Sequence, residues 1–424
     1  MPARQRLHSA FDAAGFKQAF PGLASPRLHY LDNAATAQMP KVVLAALERF
    51  EIEARANVYG GVHQRARAAY AAYENARLAA ARYMNAAAAD EIVFTYGTTS
   101  AINLVANAFG ARLGPGDEIL LSILEHHSNL LPWQDLAVRR GVVLRFLPMT
   151  PEGRLDLDRL ESALTRRCRL VALTHCSNVT GAVTDVGRVV AHARSIGAKV
   201  LLDGAQSAPH GPIDVRALDI DFFACSGHKI YGPTGIGILW ARADILASMP
   251  PFLTGGQMIE DVSLERATYR SPPRRFEAGT PPISGAIGLG AAFDWLLTLD
   301  WRAIREHELR LTRRLLDGLA AVPGTRVLGP LDTQGRIGVV TFDVEGFSSD
   351  EVCRGLDGQG VALRGGHHCA QPLVRAFGVE GATRASLAPY SVDADVDALL
   401  DGLQQLMASR GSGLAKRSTK AGRG

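Results

Sequence analysis

The chain has 424 residues, 47% hydrophobic and 21% charged, with a formal net charge of +4 at neutral pH. That length allows about two or three domains of roughly 150 residues each, with a sizeable core, and the composition is that of a globular protein. The charge excess equals the four bases Lys416, Arg417, Lys420 and Arg423 of an acid-free tail, so the body of the chain is neutral and argues against a nucleic-acid surface.

The amino end lacks an apolar signal region, and no apolar run is long enough to span a bilayer, so a cytoplasmic protein without a membrane partner is expected. Five cysteines, Cys168, Cys176, Cys225, Cys353 and Cys369, show no C-x-x-C spacing, against a disulfide framework or a structural zinc site. A short helical start precedes an extended segment over 28–36, and the Ala- and Arg-rich span 42–85 has helical spacing throughout. Strand-like runs follow at 91–95, 118–122, 142–147, 170–175, 199–203, 220–225 and 235–241, with helical patterns at 101–109, 155–164 and 186–196. That alternation predicts an α/β fold with a mainly parallel sheet. Long helices at 291–299 and 303–319 mark the passage, inside a helix, to a smaller α+β domain. Its strands are expected at 337–342, 361–364 and 382–387, and its helices at 349–359 and 393–407. The tail over 411–424 reads as disordered.

Open α/β sheets bind ligands beyond the carboxyl ends of their strands, and those positions here are polar. Gly97-Thr98-Thr99-Ser100 opens a helix, either as an ordinary N-cap or as a phosphate cup. Glu125-His126-His127-Ser128-Asn129 follows the second run, where His126 is either a stacking imidazole or a surface histidine. Asn178 follows the fourth run, facing a ligand or capping a turn. Asp203 ends Val200-Leu201-Leu202, and a buried acid must be paired to stay ionised; a protonated pyridine nitrogen is one such partner.

Lys229 lies in Ser226-Gly227-His228-Lys229, on a tight connection between two core strands. Burial lowers a lysine's pKa, and a neutral amine forms a Schiff base with an aldehyde. Taken alone it is more commonly a surface lysine in a hairpin. Beside it, Ser226 and His228 can bind an anion. Lysine, carboxylate, amide and hydroxyls in this order are the inventory that holds pyridoxal 5′-phosphate.

Asp203-Gly204-Ala205-Gln206, Ser226-Gly227-His228-Lys229 and Arg364-Gly365-Gly366-His367-His368-Cys369-Ala370 together resemble the cysteine desulfurases of the Suf/Csd type, in the class V branch of fold-type I pyridoxal-phosphate enzymes. The resemblance implies an N-terminal segment over 1–30, a large seven-stranded domain over 31–295, a small C-terminal domain over 296–410 carrying the cysteine loop, and the tail. It implies that Lys229 carries the cofactor and moves the substrate α-proton, that Asp203 pairs with the ring nitrogen, that Gln206 binds the ring hydroxyl and that His126 stacks on the ring. Thr98, Thr99, Ser226 and His228 would hold the phosphate, with Thr280 reaching in from the partner subunit of a homodimer. Asn178, Arg384 and Arg364 would bind the substrate, and no metal is implied.

Cys369 would attack the sulfur of L-cysteine, releasing L-alanine and leaving a persulfide for a small acceptor protein, with His367, His368 and Arg364 favouring its thiolate. Selenocysteine lyase activity is a further implication. A different class V activity, such as a transaminase, epimerase or kynureninase-like lyase, is the alternative, and it has no need of Cys369. Departures from the family pattern stand at Gly365, where threonine is common and whose loss would loosen the cysteine loop, and at Ser100, Ser391 and Tyr59-Gly60.

Overall fold

The structure, a computed structural model, describes residues 11–421, with side chains through residue 409. Its contacts divide the chain into two units. The larger comprises Thr36–Asn178 and Ala182–Leu299, and the smaller Met1–Ala35, Val179–Gly181 and Asp300–Gly424.

The larger unit is built on a seven-stranded sheet in the order Ile92–Thr95, Gly237–Ala241, Phe222–Ser226, Lys199–Asp203, Cys168–Thr174, Glu118–Ser122, Val143–Leu147. Gly237–Ala241 runs antiparallel to both neighbours, and every other pairing is parallel. Most of these strands are buried along their whole length, which is why they read as continuous apolar runs: a parallel sheet is covered on both faces. The helix Val186–Ser195 turns Val186, Val189, Val190 and Ala193 inward, an i, i+3, i+4, i+7 stripe, and Asp185 caps it by accepting from the Arg188 amide at 3.2 Å.

The span 42–85, of helical spacing, is helical in two pieces. A helix Lys41–Arg49 passes through a wider turn, Phe50–Ala54, and a second helix, Gln64–Met84, starts after His63 caps it by accepting from Ala66 at 3.3 Å. Gly60 between them is left-handed, at φ +77°, a backbone no helix contains. Gln64–Met84 packs closely on Ile283–Leu296: a Cβ on Gly290 would lie 2.6 Å from the Ala76 Cα. That second helix begins well before the expected residue 291, because its glycines carry no apolar signal.

The smaller unit holds a four-stranded antiparallel sheet in the order Thr325–Val327, Val339–Val344, Ala382–Ser386, Arg364–Gly366. The expected single strand at 361–364 is two. Val361–Ala362 pairs in parallel with His29–Tyr30, whereas Arg364–Gly366 joins the four-stranded sheet. The helix Trp301–Ala321 buries Leu311, Leu315 and Leu319 in one cluster with this sheet's apolar residues Val340, Phe342 and Ala385. The passage between units falls at Leu299–Asp300, between two helices and not inside one, since Asp300 accepts from Arg302 and Ala303 and so begins a new helix. The last helix is traced Asp393–Ala421. Over 411–421 the backbone is therefore helical where a disordered tail is expected from the sequence; the side chains from residue 410, and residues 422–424, lie outside the described residues.

Candidate active site

In the larger unit, Thr95, Ser226 and Gly237 lie in register at one edge of the sheet. The chain leaves Ile92–Thr95 through Gly97, at φ +121°, and enters the helix Thr98–Ala108. A Cβ on Gly237 would lie 2.5 Å from the Gly97 Cα, so two backbones meet where side chains would not fit. The Thr98 amide donates to the Ser226 Oγ at 2.8 Å, and the two hydroxyls lie 2.7 Å apart. The Thr99 hydroxyl is 2.6 Å from that of Ser128. Together they form a cup of hydroxyls and amides at a helix amino terminus, chemistry suited to a phosphate.

Lys229 ends the short turn Gly227–Lys229 directly after Phe222–Ser226. Gly227 is required there, since a Cβ would lie 2.9 Å from both the Pro233 carbonyl and Ile236. The Thr36 hydroxyl faces the His228 Nδ1 at 3.2 Å, and the Ala37 amide donates to the His228 carbonyl at 2.9 Å. Burial, then the charge of Lys229, pushes the His228 imidazole down to about 4, so it is neutral at physiological pH.

Asp203 ends the strand Lys199–Asp203, is buried, and accepts from the Ala205 amide at 2.9 Å. Burial raises its pKa, offset by that amide and by the charge of Lys229. A protonated pyridine nitrogen brought to this carboxylate would restore the counter-charge that burial removes. Gln206 and Asn178 are buried. His126 is half-buried, and its Nδ1 accepts from the Ser128 amide at 3.1 Å, which leaves the proton of the neutral ring on Nε2. Thr280 stands apart on an exposed loop, where the Asn57 amide donates to its hydroxyl at 3.4 Å. Cup, acid and lysine thus fit the phosphate, ring nitrogen and aldehyde carbon of pyridoxal phosphate.

In the smaller unit, Cys369 lies on the loop between Arg364–Gly366 and Gln371–Ala376. It is the exposed cysteine of the five. Burial pushes the Cys168 and Cys353 thiols up to about 11 and the Cys225 thiol higher still, so these are inert as nucleophiles. His368 and Cys369 are both left-handed, at φ 52° and 55°, a strained pair for residues with side chains. Arg384 is buried and its guanidinium lies 3.3 Å from Asp32; burial pushes its pKa down to about 10.

Two expectations about the loop change. His368 does not favour the thiolate as a cation: its Nε2 donates to the Ala382 carbonyl at 2.9 Å, and burial, with Arg384, lowers its pKa to about 3. Gly365 does not loosen the loop. A Cβ there would lie 3.1 Å from the Ser349 carbonyl, Gly365 is in register with Thr383, and the Gly366 amide donates to the Ser349 hydroxyl at 3.1 Å. Ser391 closes its own turn, accepting from the Ala388 amide at 3.1 Å.

Sequence reasoning missed two buried carboxylates. Glu277 accepts from Arg77 at 2.6 and 2.9 Å, from the Phe94 amide at 2.8 Å and from the Tyr73 hydroxyl at 3.2 Å. Glu125 precedes His126 and is equally buried. Arg77 lies in an Ala-rich helix three residues after Glu74, with which it also pairs at 3.1 Å, and the local sequence does not show that its guanidinium turns inward.

The Aminotransferase class-V family matches residues 29–399. A cysteine desulfurase of Dickeya dadantii (strain 3937) is 46% identical over 381 residues, covering 89% of this chain and 92% of that protein. The crystal structure of the cysteine desulfurase CsdA (S-sulfonic acid) from Escherichia coli superposes with a TM-score of 0.88 at 41% identity, covering 94% of this chain and 99% of that one. The structure of C-DES with glycine covalently linked to its PLP cofactor does so at 0.79 and 26% identity, covering 92% of this chain and 98% of that one. The chain belongs to the aminotransferase class-V family.

Proposed function

We propose that this protein is a pyridoxal-phosphate-dependent L-cysteine desulfurase that carries the released sulfur as a persulfide on Cys369. The observation that carries the reading is the exposed Cys369 on its left-handed loop, in a chain whose other cysteines are buried or half-buried. The relatives named cysteine desulfurase support it over most of their length.

When bound, pyridoxal phosphate supplies an electron sink for charge developing at the substrate α-carbon. The hydroxyls of Thr98, Thr99 and Ser226 and neutral His228 would hold its phosphate, Asp203 would hold a negative charge for the ring nitrogen, Gln206 would serve the ring hydroxyl, and His126 would orient the ring. Lys229 Nζ would hold the group through its aldehyde carbon and would move the proton at the substrate α-carbon. Asn178, Arg364 and Arg384 orient the substrate carboxylate, a task suited to the bidentate guanidinium.

Cys369 Sγ, as thiolate, then attacks the substrate sulfur. The S–S bond forms, the C–S bond breaks with its electron pair going to carbon, and protonation there gives alanine. The balance is L-cysteine plus enzyme thiol to L-alanine plus enzyme persulfide. The same reading includes a homodimer with Thr280 of one subunit serving the other, a cytoplasmic location, a small protein as sulfur acceptor, and acceptance of selenocysteine.

The test is an absorbance spectrum of the purified protein, repeated with L-cysteine and a reductant while alanine and sulfide are assayed. A visible cofactor band that shifts, with alanine and sulfide rising together, is expected. A Cys369→Ala variant that kept full turnover on L-cysteine would overturn the persulfide mechanism.

A further inference from the structure

Glu125 is a titratable group, 2% exposed, that the proposed reaction leaves unused. The Ser122 hydroxyl, able to accept from a protonated carboxyl, lies against its Oε1, the Asn129 side-chain amide donates to its Oε2 at 2.6 Å, and the Thr174 backbone also hydrogen-bonds to the group. Asn129 in turn accepts from the indole Nε1 of the fully buried Trp133 at 2.9 Å. These bonds tie both ends of the 122–129 turn to the middle of one carboxyl group. His126 sits inside that turn, its carbonyl accepting from the Asn129 amide at 2.8 Å and its Nδ1 from Ser128. Ser128 is also the partner of Thr99, so the turn is joined to the phosphate cup.

We propose that Glu125 is a positioning residue that fixes His126 toward the cofactor, acting as a neutral hydrogen-bonding hub and not as an anion. The hydrogen-bond partners of Glu125 are neutral, and no Lys or Arg pairs with it among the described residues. Two strands away in the sheet, at the end of Lys199–Asp203, the charged group that acts on it is Asp203, of like sign, itself acted on by Lys229; on its own turn the titratable neighbours are His126 and His127. A buried carboxylate with no cation is disfavoured, and a second anion beside Asp203 would compete for the counter-charge the ring nitrogen brings. Burial raises the Glu125 carboxyl to about 8, in keeping with this.

The inference rests on the cofactor assignment above, so wild-type protein comes first: if it shows no visible band with added pyridoxal phosphate, the assignment fails whatever Glu125 does. Given the band, the dissociation constant for pyridoxal phosphate, the band position from pH 6 to 9, and kcat against KM are measured for Glu125→Gln and Glu125→Ala. Gln keeps the shape and a neutral hub. It is expected to stay within about 3-fold of wild type in all of them, whereas Ala weakens cofactor binding and lowers kcat by about 10-fold or more. Should Gln fail as badly as Ala while remaining folded by circular dichroism, the neutral role is overturned. Should Ala match wild type, so is the positioning role.

Discussion

Two buried carboxyls in the larger unit, Asp203 and Glu125, are both raised by burial, yet they have different work. Asp203 has Lys229 nearby and a strand-end position from which a ligand can be met, and both features were legible in the sequence, because an acid directly after three apolar strand residues needs a partner. Its replacement, Asp203→Asn, is expected to lower kcat by about 10²-fold or more, as removal of a preorganised charge does, measured by steady-state alanine release. Glu125 was illegible, since the hydrogen bonds that bury it come from Ser122 and Asn129 on one turn, and local sequence does not say which way that turn faces. Its raised pKa has a stability consequence. Between about 4.5 and 8 the folded state holds a proton that the unfolded state has lost, so Glu125 contributes stability fully below the unfolded pKa and loses it as pH rises through 8. Thermal melts of wild type and Glu125→Gln should therefore diverge from pH 5 to pH 8, with the variant gaining relative to wild type. Parallel curves would mean that Glu125 is ionised when folded.

At the scale of elements, the strands were legible and the helices less so. Strand runs such as Val200-Leu201-Leu202 carry one message, burial on both faces, whereas alanine-rich helical spacing is the same on either side of a break such as Arg55–His63. The buried pair Arg77–Glu277 shows what that spacing hides. It ties the helix Gln64–Met84 to Phe94, whose strand leads to the Thr98 cup, and to the loop that carries Thr280. Arg77 also stacks on the Tyr73 and Phe94 rings, at 5.3 and 4.7 Å from their centroids. Breaking a buried pair leaves an uncompensated charge, so Arg77→Ala and Glu277→Ala should each cost about 3–5 kcal/mol. The double variant should cost less than their sum, read from urea denaturation. In the smaller unit, Gly365→Thr should lower stability by about 1–3 kcal/mol, since its Cβ would press on the Ser349 backbone.

For the molecule as a whole, the order of motifs along the chain carried the family and the fold class, and matching relatives cover nearly the full length. The location of the cysteine loop was legible too, but its electrostatics were not: His368 looked like a neighbouring cation in Gly-Gly-His-His-Cys and is a buried neutral donor to Ala382. The proposed reaction ends in one event, arrival of a sulfur atom at Cys369. The measurement that tests it is mass spectrometry of the peptide containing Cys369, after protein loaded with pyridoxal phosphate reacts with L-cysteine in the absence of reductant, with alanine quantified in parallel. The account predicts a gain of one sulfur atom on Cys369 in proportion to the alanine formed, and neither product from Cys369→Ala. Alanine released while Cys369 stays an unmodified thiol would contradict it.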